Sequence, residues 1–307
     1  MNLKCLLCGI AILVCVGTVK AIDNVSERVS ASISLKVPGN EAKQYPLTFQ
    51  KTKNDKSAYQ LEASERIPLT VYQTIEEKGG KSQITVCITA LEDVYFNYSQ
   101  QVSTGFRHDD CQFYMPGFWY RRSPKSAPSF HTSDSWLVRE DRLSTPLTGI
   151  YSEGTKRFMT VNRIDQFEND ALTTHREGEV ILSGKTSLGF TGFENRNGIA
   201  TLSFGFPYQE APKSYIRKLT LAPQVKAFQL LKKGETVLLN WTIYEDAAED
   251  YSDFIRHTWE YCYDTYAPKP VDTPYSIADM KNTLSSFFVN SLVSKPELTY
   301  YSGVGLR

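Results

Sequence analysis

The hydrophobic period of this chain changes once, and the change divides it. From Val29 to Leu35 the run VSASISL alternates apolar and polar residues strictly, which puts Val29, Ala31, Ile33 and Leu35 on one face of a half-buried strand. Similar runs follow at YPLTFQ, SAYQLEA, LTVYQTIEE, SQITVCITA and DVYFNYS, and later at IYSEGTKRFMTVNRI, EVILSGKTSLGFTGF, GIATLSFGFPY, VKAFQLLKKG and ETVLLNWTIYE. Turn chemistry separates them: Pro38-Gly39-Asn40, Asn54-Asp55, Gly79-Gly80 and the Asn197-Gly198 tip, where adjacent residues must take positive φ. Many short strands with polar turns predict a large antiparallel sandwich of two packed sheets.

After Tyr244 the period becomes helical. Asp246 with Glu249 fits a capping box, and Tyr251, Phe254, Ile255, Trp259 and Cys262 fall on one helix face. Ala267-Pro268-Lys269-Pro270 interrupts as a linker, because proline lacks a donor and restricts the residue before it. Ser276 and Asp279 open a second helix with a stripe of Ile277, Met280, Leu284, Phe287, Phe288 and Leu292, ended by Pro296; TYYSGVGLR after it has no regular period. Such a stripe forfeits about 1.5–3 kcal/mol for each large side chain left in water, so the helix either folds back onto the sandwich or, the favoured expectation, meets further helices beyond Arg307.

The first residues carry Lys4, an apolar run from Cys5 to Val16, and Val19 and Ala21 at the places of a small-residue cleavage site. That is the pattern of a secretory signal peptide over residues 1–21, with a mature chain from near Ile22 and export to the periplasm, the cell surface or the medium. The run is too short to cross a ~30 Å hydrocarbon core comfortably. Cys5, Cys8 and Cys15 leave with it; of the remaining Cys87, Cys111 and Cys262, a single Cys87–Cys111 bridge is the pairing left open. Thirty-four basic and thirty-four acidic side chains balance without long runs of either sign, which argues against nucleic acid or an anionic membrane as partner.

Between Gly105 and Ser144 the alternation stops and aromatic residues, Arg, Pro and Ser crowd in. A long irregular stretch rich in rings reads as functional rather than disordered. Flat rings stack on the apolar face of a sugar and Arg forks grip carboxylates or sulfates, so Trp119, Arg121, Arg122, His131, Asp134, Trp136, Arg139 and Asp141 are the candidate substrate-binding residues, suited to an acidic glycan. The opposing possibility is that the two Trp are core anchors and that Arg139, Glu140, Asp141 and Arg142 pair among themselves. Carboxylates in this stretch, Asp109, Asp110, Asp134, Glu140 and Asp141, are the local options for acid–base chemistry, and none is marked as catalytic by spacing. His108, His131, His175 and His257 lack zinc-type spacing, and the sequence carries no nucleophile elbow or phosphate loop, so no metal or cofactor is expected.

The order of these parts, with KKGETVLLNWTIYE leading into YSDFIRHTWEYCYDTYAPKP, resembles the N-terminal part of the six-hairpin glycosidase-like proteins, which join a β-supersandwich to an (α/α)6 toroid. GFWYRR and PSFHTSDSWLVREDRLSTPLTGIYS are similar to stretches in exported members from polysaccharide-degrading gut bacteria. The resemblance implies a mainly β chain: a large antiparallel β-supersandwich over 22–245, a linker helix and Pro linker over 246–272, and the start of a truncated α-helical toroid over 273–307. It implies a glycan-degrading parent, a glycoside hydrolase or a polysaccharide lyase, whose catalytic carboxylates sit in the toroid. From a different class, a non-catalytic carbohydrate-binding or adhesive surface protein fits the same residues.

Overall fold

The computed structural model describes residues 25–52, 55, 57–122, 134–164, 177–212, 214–217, 220–222, 224–269 and 272–301, with side chains left out over 213–223. The segment expected to be a signal peptide, His131, His175 and Pro270 lie outside these residues. The chain divides into two compact units, Met1–Cys262 and Tyr263–Arg307.

The first unit is mainly β. Its strands are β1 (Val29–Lys36), β2 (Lys43–Lys51), β3 (Ala58–Ala63), β4 (Leu69–Lys78), β5 (Lys81–Ala90), β6 (Val94–Arg107), β7 (Cys111–Met115), β8 (Trp119–Arg121) and β9 (Ser135–Arg139). They continue with β10 (Leu147–Ser152), β11 (Arg157–Arg163), β12 (Gly178–Ile181), β13 (Phe190–Arg196), β14 (Ile199–Phe206), β15 (Gln209–Glu210), β16 (Ser214–Arg217), β17 (Thr220–Ala222), β18 (Val225–Leu231) and β19 (Thr236–Ala247). A short helix, α1 (Val25–Arg28), precedes β1, and α2 (Tyr251–Tyr266) follows β19.

Seventeen of these strands form one hydrogen-bonded system. One run goes β2–β1–β6–β14–β13–β9, another β4–β5–β19–β11–β10–β7–β8, and β3 bridges β2 to β4. All these pairings are antiparallel; β12 with β18 is parallel. The two runs share one core, in which Ile33, Phe96, Tyr98, Val102 and Phe204 meet Val71, Ile84, Val86, Trp241, Ile243 and Val161. The predicted sandwich is therefore present, and its hairpins close where the glycines said they would. Gly79 and Gly80 have φ of 57° and 74°, Asn197 and Gly198 of 53° and 84°, the left-handed pair a two-residue hairpin needs.

Among its described residues, the stretch read as irregular carries the end of β6 and all of β7, β8 and β9. β6 runs unbroken to Arg107, a 3-10 turn spans His108–Asp110, and β7 follows with all five residues buried. Alternation is missing at β7 because that strand is covered on both faces, by the sandwich core and by α2. On the α2 side, Tyr114, Leu147, Tyr151 and Phe158 pack against Tyr251, Phe254, Tyr261 and Cys262. The helix face is the expected one at Tyr251, Phe254, Ile255 and Cys262, with Thr258 and Tyr261 buried as well; Trp259 departs from it, being 43% exposed and donating its Nε1–H to the Tyr114 hydroxyl at 2.7 Å. Its cap also lies further along, since Asp246 belongs to β19 and it is Asp250 whose carboxylate accepts the Asp253 N–H at 2.8 Å.

The Cys87–Cys111 bridge that the sequence leaves open is not formed. Cys87, Cys111 and Cys262 are all free, with Cys111 buried and donating its thiol to the Arg107 carbonyl at 3.1 Å. Cys87 lies within β5, paired across to Leu238 and Tyr72.

In the second unit, α3 (Ile277–Ser291) starts at a complete capping box between Ser276 and Asp279, as the sequence indicated. Leu292 leaves the helix to begin β20 (Leu292–Lys295), which pairs antiparallel with β21 (Leu298–Tyr301), so the tail read as aperiodic holds a strand. Ile277, Leu284, Phe287, Phe288 and Val289 are exposed.

Candidate functional site

The structure separates the predicted binding residues into two groups. In the first, the charged groups are already engaged by partners within the fold. Trp119 is buried against Trp136 and Phe193, with ring centroids 5.1 and 5.5 Å away, and donates its Nε1–H to the Arg121 carbonyl at 3.0 Å. Trp136 is half-buried and also packs on Phe118. Arg139 forks onto Asp141 at 2.5 and 2.9 Å while its guanidinium covers Tyr208. Arg142 forks onto Glu210, and Glu140 takes the Arg163 guanidinium and the Gly189 N–H, both at 2.7 Å. Asp134 sits at the surface, where it accepts the Asn195 side-chain amide at 3.0 Å. His131, the other polar candidate of this stretch, lies outside the described residues.

The second group is open. Arg121 lines a cleft of about 200 Å³ with Gln112, Tyr151, Glu153, Lys156, Asp250, Tyr251 and Ser252, and Arg122 stands at its edge, 4.0 Å from Glu153. Three local devices hold these side chains. Asp110 accepts the Ser152 hydroxyl at 2.7 Å and the Gly154 N–H at 2.9 Å, which fixes the β10–β11 turn carrying Glu153 and Lys156. That turn needs Gly154, because a Cβ there would come within 2.8 Å of the Asp110 carboxylate. The Tyr251 hydroxyl, at the start of α2, donates to the Phe113 carbonyl at 2.9 Å and accepts the Arg121 N–H at 3.0 Å. Burial pushes that phenol up to about 12, so it stays protonated and neutral across the physiological range.

Arg121 itself adopts φ of 53°, a left-handed conformation unusual for a residue with a side chain. It turns the guanidinium 4.9 Å over the Tyr251 ring, a cation–π geometry, and within 3.5 Å of the Gln112 side-chain Oε1. Gln112 in turn donates to Glu153. Lys156, also at positive φ, places a further cation on the wall, and its carbonyl accepts the Ala248 N–H at 3.0 Å. Beside the cleft Tyr120 is 54% exposed, its hydroxyl accepting the Gly117 N–H. The cleft thus presents three cations, two carboxylates and tyrosine faces, an arrangement able to hold a carboxylate or sulfate bidentately next to a ring.

Sequence reasoning found Arg121 and Arg122 but missed Tyr251, Glu153 and Lys156. Tyr251 looked like an ordinary core position of α2, and its polar tip shows only when β7 and β8 are brought against it. Glu153 and Lys156 flank Gly154 in a turn, and that turn was the available signal. Among the described residues no cluster of metal-ligating side chains occurs.

No family model matches the chain, and no curated protein matches it. Among solved structures it is similar to a putative aldose 1-epimerase from Escherichia coli K12, with TM-score 0.39 and 8% identity over 70% of this chain and 79% of that one. It is similar to a GH36 α-galactosidase from Geobacillus stearothermophilus, solved with raffinose, with TM-score 0.41 and 10% identity over 70% of this chain and 30% of that one. A polysaccharide lyase matches with TM-score 0.36 and 12% identity, over 75% of this chain and 27% of that one. The chain therefore spans less than a third of the galactosidase and of the lyase.

Proposed function

We propose that this chain is the glycan-holding β-sandwich of an exported glycan-degrading enzyme, a glycoside hydrolase in the first instance, and that it binds an acidic oligosaccharide in the Arg121 cleft. The observation that supports this is the grouping of Arg121, Arg122 and Lys156 around Tyr251 on a rigid sheet end. Guanidinium and ammonium groups would take the carboxylate or sulfate, and Tyr120 offers a face for the ring. Bond cleavage is assigned outside this cleft, because Glu153 is engaged by Gln112, Asp250 caps α2 by accepting the Asp253 N–H, and the carboxylates of the Arg139–Arg142 stretch are closed into ion pairs.

The test is a panel of acidic and neutral oligosaccharides assayed for binding by calorimetry and for cleavage by release of reducing ends. Acidic members are expected to bind, Arg121→Ala is expected to weaken them roughly tenfold or more as a lost charge-assisted contact, and no cleavage is expected from the chain alone. Preference for neutral sugars, or binding indifferent to Arg121, would reject the cleft. Hydrolysis by this chain would move the catalytic carboxylates into it.

A further inference from the structure

One residue beyond Lys156 the chain enters a second cavity. Arg157, at the start of β11, lines a space of about 310 Å³ with Arg28, Lys78 and Lys81 against the carboxylates of Glu77 and Glu245. Its base is rigid. The Gly79-Gly80 hairpin tip is pinned to β19 by the Glu245 N–H, which donates to the Gly80 carbonyl at 2.9 Å, and a Cβ on Gly80 would meet that same Glu245 backbone at 2.8 Å.

The charges here are unequally used. Arg28 pairs with Glu245 through Nη2, but its buried Nε has no acceptor. Lys81 sits over the Tyr261 ring at 4.6 Å and the Tyr244 ring at 5.5 Å, held in place without a carboxylate. Among the described residues no carboxylate pairs with Arg157 or Lys78. A cavity with an excess of cations, a buried donor left unanswered and a fixed floor is suited to an oxyanion rather than to a metal ion or a neutral ligand.

We infer that this cavity is a second oxyanion position, for another carboxylate or sulfate of the same acidic glycan. This rests on the function proposed for the Arg121 cleft. Lys156 and Arg157 are consecutive, so the two cavities open at one strand end, and a chain long enough to reach both is held at two places. Binding at the second place then becomes intramolecular and gains from effective concentration without any new contact at the first.

Calorimetric titration of the full chain with oligogalacturonides, and separately with chondroitin sulfate oligosaccharides, as dimers and as decamers, tests this; sodium sulfate alone is the third arm. The decamer of at least one series is expected to bind roughly tenfold or more tightly than its dimer. Arg157→Ala and Lys78→Ala are each expected to remove that gain while leaving the dimer affinity unchanged, whereas Arg121→Ala weakens both lengths. Equal affinity for both lengths with sensitivity to Arg121→Ala would overturn the second position and leave the first cleft standing. Sulfate binding that depends on Arg157, without a length effect, would make the cavity a free-anion site and overturn its role in holding a glycan. Absence of binding in both oligosaccharide series would overturn this position and the first cleft together.

Discussion

Glu140 is the residue on which the local order of the aromatic segment turns. Its side chain is fully buried, and it neutralises Arg163 while accepting the Gly189 N–H. Removing one member of a buried pair leaves the other charge without compensation, which typically costs about 3–5 kcal/mol. Glu140→Ala is therefore expected to lower unfolding free energy by about that amount in urea denaturation; a loss below about 1 kcal/mol would show that Arg163 finds water or another acceptor. The thiols give a second residue-scale expectation. Burial pushes Cys111 and Cys262 each up to about 12, so both are neutral thiols well above pH 7 and the reactive thiolate is scarce. Iodoacetamide is expected to spare both in the native protein up to pH 9 and to label both in denaturant; rapid native labelling of either would contradict their burial. Residue identities in this segment were legible, but their partners were not. Arg139 to Arg142 looked able to pair among themselves, and only Arg139 with Asp141 does so. Glu140 reaches 23 residues along the chain and Arg142 reaches 68, distances that no local spacing encodes.

At the scale of elements, α2 is built into the sheet. Gly149 in β10 leaves the notch that Phe254 fills; a Cβ there would lie 2.6 Å from the Phe254 ring. Phe254 has no exposed surface and packs on Tyr151, Phe158 and Tyr114. Gly149→Ala is expected to overpack this contact by about 1–3 kcal/mol and Phe254→Ala to leave a cavity costing about 3–5 kcal/mol. Hydrogen exchange of the α2 amides checks both, with faster exchange expected; unchanged protection would mean that the helix does not depend on the notch. Because Tyr251 anchors Arg121, both variants should also disturb the cleft. Strand and helix period made the sandwich and the two helices readable in advance. Two-sided burial hid β7, and the α2 face was legible apart from Trp259, which stays partly exposed, and Thr258, which is buried because its hydroxyl bonds back to the Phe254 carbonyl at 2.8 Å.

For the whole molecule, net charge is uninformative. Acidic and basic side chains balance over the chain, yet the strand end at Lys156–Arg157 gathers Arg28, Lys78, Lys81, Arg121 and Arg122 into two cavities. The fold produces this concentration by bringing β4, β5, β8, β11 and the start of α2 to one end, and a linear charge count cannot show it. The site was legible only as far as the Trp119–Arg122 motif, since its other half comes from turns and a helix start remote in sequence. The most direct measurement is amide chemical-shift mapping of the labelled chain during titration with an acidic decasaccharide. Shifts concentrated at Gln112, Arg121, Arg122, Glu153, Lys156, Tyr251 and Ser252, and lost with Arg121→Ala, are the predicted result. Saturable shifts elsewhere, with these residues silent, would contradict the assignment of this cleft.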